Sequence, residues 1–224
     1  MADPISIAIA GLALGVSSLN AWWTLWHRGR VKMTQPTIIF MGWDPPRDSG
    51  EDAMPKVFLR TLLFATSKRG RIIESMHVVL YRNGTPQSFN VWGYAEKELV
   101  RGSGLFVGET GVAAYHHFVA PGGSAFRFAE GEYRIDVFSH LLGDRKQKLL
   151  WTQKLEIPRR VAVELGQPGN GLYFDWDPVA SRYVSYVKNQ PPSSGSMQVL
   201  ELLGIPHHAR NPLADTSATG RGHA

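Results

Sequence analysis

The 224-residue chain has no cysteine. Disulfide frameworks, thiolate metal sites and cysteine nucleophiles are therefore excluded. A reducing compartment agrees with this absence but is not established by it. The familiar catalytic signatures are missing as well. No serine has glycine both two positions before and two positions after it, so there is no nucleophile elbow. Neither a Walker loop nor a His-Glu-x-x-His helix occurs. In Gly102-Ser-Gly104-Leu-Phe-Val-Gly108 the glycines are spaced one residue too far for a dinucleotide loop, and no helical pattern follows. That stretch reads as a turn. A basic stripe is lacking too: 24 Lys and Arg are scattered among 19 Asp and Glu, leaving a net charge of +5. Such scatter gives no reason to expect a nucleic-acid partner. Nothing in the chain calls for a cofactor or a metal; His207, His208 and His223 lie in a tail that offers no second shell.

Charge is absent altogether from Ile5 to Trp26. About 22 helical residues rise roughly 33 Å, enough to cross a hydrocarbon core of about 30 Å. Asp3 is placed to cap free N–H groups, and Pro4 suits the first helical position. Trp22, Trp23 and Trp26 mark the far end, where amphipathic rings favour the membrane–water boundary. Arg28, Arg30 and Lys32 follow. A cleaved signal peptide carries its positive charge before the apolar run and small residues after it; here that order is reversed. A buried core helix is seldom chargeless for so long. The expectation is a single spanning helix at the inner membrane, with the positive flank keeping the larger C-terminal part in the cytoplasm. Gly11 and Gly15 form a small-xxx-small pair, through which two such helices can pack as a weak homodimer.

Beyond the anchor, strand follows strand. Pro36–Gly42 is β-rich, and Lys56–Thr66 is apolar on both faces, which suits a central strand. Ile72–Tyr81 alternates, and Arg82-Asn83-Gly84 reads as a hairpin turn. Gln87–Trp92, Gly104–Val107 and Val112–Val119 are further strands. Tyr133, Ile135 and Val137 alternate with charged residues, as do Leu149, Trp151, Leu155 and Ile157 with polar ones. This pattern predicts a mainly β chain built as an antiparallel β-sandwich. Phe128-Ala-Glu-Gly-Glu-Tyr133 resembles the tyrosine-corner region of immunoglobulin-like and fibronectin-type sandwiches. The resemblance spans Phe128 to Ile157 and lacks the cysteine pair of antibody domains. It implies an architecture, with a Tyr133 hydroxyl bonded to nearby backbone, and no activity.

The expected organisation is an anchor with its basic flank at 1–32, a sandwich at 33–160, an appended hairpin at 161–188 and a disordered tail at 189–224. Within 161–188, Leu172–Trp176 and Tyr183–Val187 read as two strands joined through Asp177-Pro178. The tail carries a short helix at 196–204, whose Leu200 and Leu203 could dock on a partner. His116 and His117 are neighbours on one strand, so they point to opposite faces and cannot share a metal ion; one is expected to pack and the other to be solvated. Trp43-Asp44-Pro45 and Trp176-Asp177-Pro178 echo each other. They are either two structural corners or one aromatic and acidic surface that grips a partner.

Two functions from different classes stay open. The first is a membrane-anchored cytoplasmic sandwich that binds a protein or the membrane surface. The second is an enzyme or small-ligand-binding protein whose site is built from the Gly42–Pro55 and Glu96–Gly111 loops.

Overall fold

A computed structural model of the chain describes residues 3–25, 29–44, 54–95, 99–102, 104–121, 124, 126–167 and 169–189. The chargeless run is helix α1, Pro4–Leu25. Its start is capped as the sequence requires: the Asp3 carboxylate accepts the Ile5 N–H at 3.2 Å, and the Asp3 carbonyl accepts the Ile7 N–H at 3.2 Å. The helix is long and apolar enough to cross a membrane, and its side chains are not buried against the rest of the protein.

The strands form two antiparallel sheets. The larger runs in the order β13 (Arg182–Asn189), β12 (Asn170–Asp177), β2 (Ile38–Asp44), β3 (Met54–Ala65), β9 (Val112–Val119), β6 (Val91–Ala95) and β7 (Leu99–Arg101), with β1 (Val31–Met33) also paired to β3. The smaller runs β11 (Lys148–Ile157), β10 (Gly131–Leu141), β4 (Arg71–Arg82) and β5 (Thr85–Phe89), with β8 (Leu105–Val107) paired to the start of β4. One core fills the space between them. Ile39, Met41, Val57, Leu59 and Phe118 come from the larger sheet, and Val78, Leu80, Ile135 and Val137 from the smaller. Period-two alternation puts these side chains on one face of each strand. Removing each of them from water stabilises the fold by about 1.5–3 kcal/mol.

Local chemistry sets the connections. Asn83 and Gly84 both take positive φ, 48° and 88°, as a two-residue type I′ hairpin between β4 and β5 demands. The Gln87–Trp92 stretch, expected as one strand, is two: Asn90 separates β5 in the smaller sheet from β6 in the larger. At the start of β10 the Tyr133 hydroxyl donates to the Ala129 carbonyl at 2.7 Å and accepts the Ala129 N–H at 3.0 Å. Those bonds fix the corner that leads into the strand.

The hairpin β12–β13 lies beside β2, extends the larger sheet, and contributes Leu172 and Phe174 to the core. The Asp177 carboxylate caps its turn by accepting the Val179 and Ala180 N–H groups at 2.9 and 3.1 Å. Gln35 ties the hairpin to the opposite sheet: it donates to the Tyr183 hydroxyl at 3.0 Å and accepts the Trp151 indole N–H at 3.1 Å. Three elements were not expected. Helix α2 (Arg159–Leu165) follows Pro158, and it buries Val161 and Leu165. With seven residues it is too short to display a helical period. Strands β1 and β7 have three residues each and are defined by their partners rather than by pattern.

Candidate interaction surface

The residues that alternate with the core on the larger sheet form its outer face, where a row of rings runs between charged residues such as Lys56, Arg60 and Asp175. Strand register aligns Tyr186 with Tyr173, Tyr173 with Phe40, Phe40 with Phe58, and Phe58 with His117. The result is a row of five rings crossing five strands. Neighbouring centroids are 5.4, 5.0, 6.2 and 5.2 Å apart in that order, within the range of attractive aromatic pairs. Tyr115, in the next row, stacks on Phe58 at 5.5 Å, and the Arg60 guanidinium lies 5.0 Å over its ring.

Two glycines let the Phe40 ring lie against the sheet. A Cβ at Gly42 would sit 2.5 Å from the Phe40 ring, and one at Gly171 would sit 2.2 Å from it. Phe40 is consequently only 4% exposed, yet it stays outside the core cluster. Tyr186, on the outermost strand of the sheet, is 43% exposed.

The two histidines occupy opposite faces, as their adjacency requires, but neither is solvated. His116 points inward and is fully buried against Trp92 and Phe118. The Trp92 indole donates to its Nδ1 at 3.2 Å, which leaves the proton of the neutral ring on Nε2. Burial pushes its pKa down to about 4. His117, expected in solvent, is half-buried beside Phe58 because the outer row covers it. Burial, helped by the positive charges of Lys56 and His116, lowers its pKa to about 3. It therefore serves the row as a neutral ring at ordinary pH.

The sequence-predicted positions fall elsewhere. Trp22 and Trp23 are exposed near the end of α1, with centroids 6.2 Å apart. Gly11 and Gly15 lie one turn apart with open space beside both. Arg30 and Lys32 are exposed at the start of the sandwich. The two Trp-Asp-Pro corners are not brought together. Trp43, next to last in β2, packs edge-on to Phe128 at 5.7 Å. Trp176 packs on Tyr183 at 5.1 Å, and its backbone N–H donates to the carbonyl of Thr37, just before the other end of β2. Six residues of strand, roughly 20 Å, separate the two. Trp26, Arg28, Leu200, Leu203 and the 196–204 helix lie outside the described residues, as do the Asp44 side chain and most of the Gly42–Pro55 loop. Among the described residues no three His, Asp or Glu side chains gather into a metal-binding group. The ring row itself was missed, although Phe58, in a strand with apolar residues on both faces, and Phe40 between Ile39 and Met41 were its signal.

No family model matches the chain, and no curated protein matches it.

Proposed function

We propose that this chain is an immunoglobulin-like sandwich held at the inner membrane by α1, and that its larger sheet presents the ring row to a protein partner. The row is the observation that carries this reading. An antiparallel sheet with one face in water ordinarily carries polar residues there, whereas protein interfaces are enriched in aromatic side chains and Arg. Here five rings in register, with Arg60 beside them, occupy the face turned away from the core. The finer architecture is supported by strand order: β2-β3-β9-β6 against β11-β10-β4-β5 parallels the A-B-E-D and G-F-C-C′ sheets of such domains. Tyr133 stands at the start of the strand equivalent to F, where a tyrosine corner belongs. Arg28, Arg30 and Lys32 favour a cytoplasmic sandwich, and the open Gly11 and Gly15 face leaves room for a second anchor helix.

The test replaces Val184, exposed beside Tyr186 on the outer face, with a photo-crosslinking residue in the whole chain in intact membranes. A discrete protein adduct is expected. It should vanish when Tyr173→Ser and Tyr186→Ser are combined, with the melting temperature nearly unchanged. An adduct indifferent to those substitutions, or none at all, overturns the proposal.

A further inference from the structure

The turns nearest the anchor have a different character from the rest of the sandwich. The Arg30 N–H donates to Thr66 Oγ1 at 2.8 Å, and the Thr66 N–H donates to the Arg30 carbonyl at 2.9 Å. The chain therefore joins the sandwich at the end where β3 stops and β4 starts. Segments 66–71, 106–111 and 142–148 meet at this end. The Ala65 N–H bonds the Gly108 carbonyl at 2.9 Å, the Leu142 N–H bonds the Ile72 carbonyl at 2.9 Å, and the Phe106 ring covers Gly70. Together they carry six Lys or Arg and two acids. One of those acids, Asp144, is already held by Arg71 and Lys148, both at 2.7 Å. Lys68, Arg69, Arg145 and Lys146 are exposed around it.

Large apolar side chains stand among these cations. Phe106 is 57% exposed and Leu142 55%, and both line one open cleft with Arg69, Arg71 and Ile72. Leu149 is exposed beside Arg30 and Lys148. Exposed apolar groups ringed by cations suit the boundary of an anionic bilayer, where rings and alkyl chains enter the interface and the cations meet phosphate. The covalent link enforces proximity. Four residues separate Leu25 from Arg30, so full extension gives a reach of about 18 Å at most.

We infer that this end of the sandwich seats on the anionic lipid headgroups of the leaflet beside its own anchor, with Phe106 and Leu142 entering the interface and Lys68, Arg69, Arg145 and Lys146 contacting phosphate. The inference rests on the membrane-anchored reading. It fixes which way the domain faces and leaves the ring row free for its partner.

Because the chain has no native cysteine, Leu142→Cys gives a single labelling site for an environment-sensitive dye. The whole chain is reconstituted in phosphatidylcholine vesicles and in vesicles that also contain phosphatidylglycerol. In the second set the dye should shift to the blue and be quenched by spin-labelled lipid. Combined Lys68→Glu, Arg69→Glu, Arg145→Glu and Lys146→Glu should abolish both signals. Salt near 1 M, which shortens the screening length to about 3 Å, should do the same without any charge substitution, so the test survives a misfolded variant. A water-exposed dye in both lipids overturns the inference, as does equal quenching in both. Protection of the dye only when an acidic protein is added also overturns it. Alkaline carbonate extraction separates the two levels: a chain that washes off refutes the anchor, whereas a retained chain with an exposed dye refutes only the docking.

Discussion

The two faces of the larger sheet are built from alternate residues of the same strands, and they solve different problems. The inner face is buried against the opposing sheet and mixes aliphatic Ile39, Met41, Val57 and Leu59 with Trp92, Phe118 and Phe174. On the outer face Phe40, Phe58, Tyr173 and Tyr186 pack side by side, stacked or tilted against one another. Each of these rings pairs with its neighbour in the row, and Phe58 also stacks on Tyr115. A core needs shape complementarity in depth, which branched aliphatics supply. A surface that must stay folded alone yet bind when met is better served by flat rings, which lose little freedom and stack on one another. The same backbone thus carries a stabilising layer on one side and, on the function proposed above, a recognition layer on the other.

The sharpest way to break this comparison is to truncate one side chain on each face. Leu59→Ala on the inner face should lower stability by about 2–5 kcal/mol, read from the midpoint of urea unfolding. Acid is the next lever, through His116. Its pKa is about 4 when folded and returns to about 6.5 when unfolded, so the unfolded chain binds the extra proton. The histidine's contribution is whole above about pH 6.5 and is lost as the pH falls toward 4, on the order of 3 kcal/mol in total. His117 pushes in the same direction. Melting temperature should be flat above neutrality and fall steeply between those limits, and His117→Phe should soften the fall without lowering the neutral value. Tyr133→Phe removes the hydroxyl that bonds both backbone groups of Ala129 and should cost about 1–2 kcal/mol, seen as a lower melting temperature. The smallest effect belongs to the outer face. Tyr186→Ser should change stability by no more than about 0.5 kcal/mol, measured by the same melt, while reducing the crosslinked adduct severalfold.

The fold was largely legible because most of its signals are local. The capped chargeless helix, the Asn83-Gly84 turn, the alternation in β4, β10 and β11, and the Tyr133 corner are each written within a dozen residues. Strands β1 and β7 were not legible, since three residues have no period and exist only through pairing with β3 and β6. The ring row was hidden for a related reason. Its members come from β2, β3, β9, β12 and β13, and only register assembles them. Alternation reveals a single buried face; where both faces are apolar, as in β3, it cannot say that the second one is a surface. The repeated Trp-Asp-Pro motif left two readings open, and Trp43 and Trp176 stand apart, as separate corners would.

Phe40 has one more consequence. Gly42 and Gly171 leave its ring a bed to lie in, while Tyr173 and Phe58 close it on both sides. The ring has nowhere to swing. A partner would meet a surface already in its bound shape, so few rotamers are frozen on contact. Association should then be single-phase and set by encounter, and rival partners should differ mainly in how long they stay.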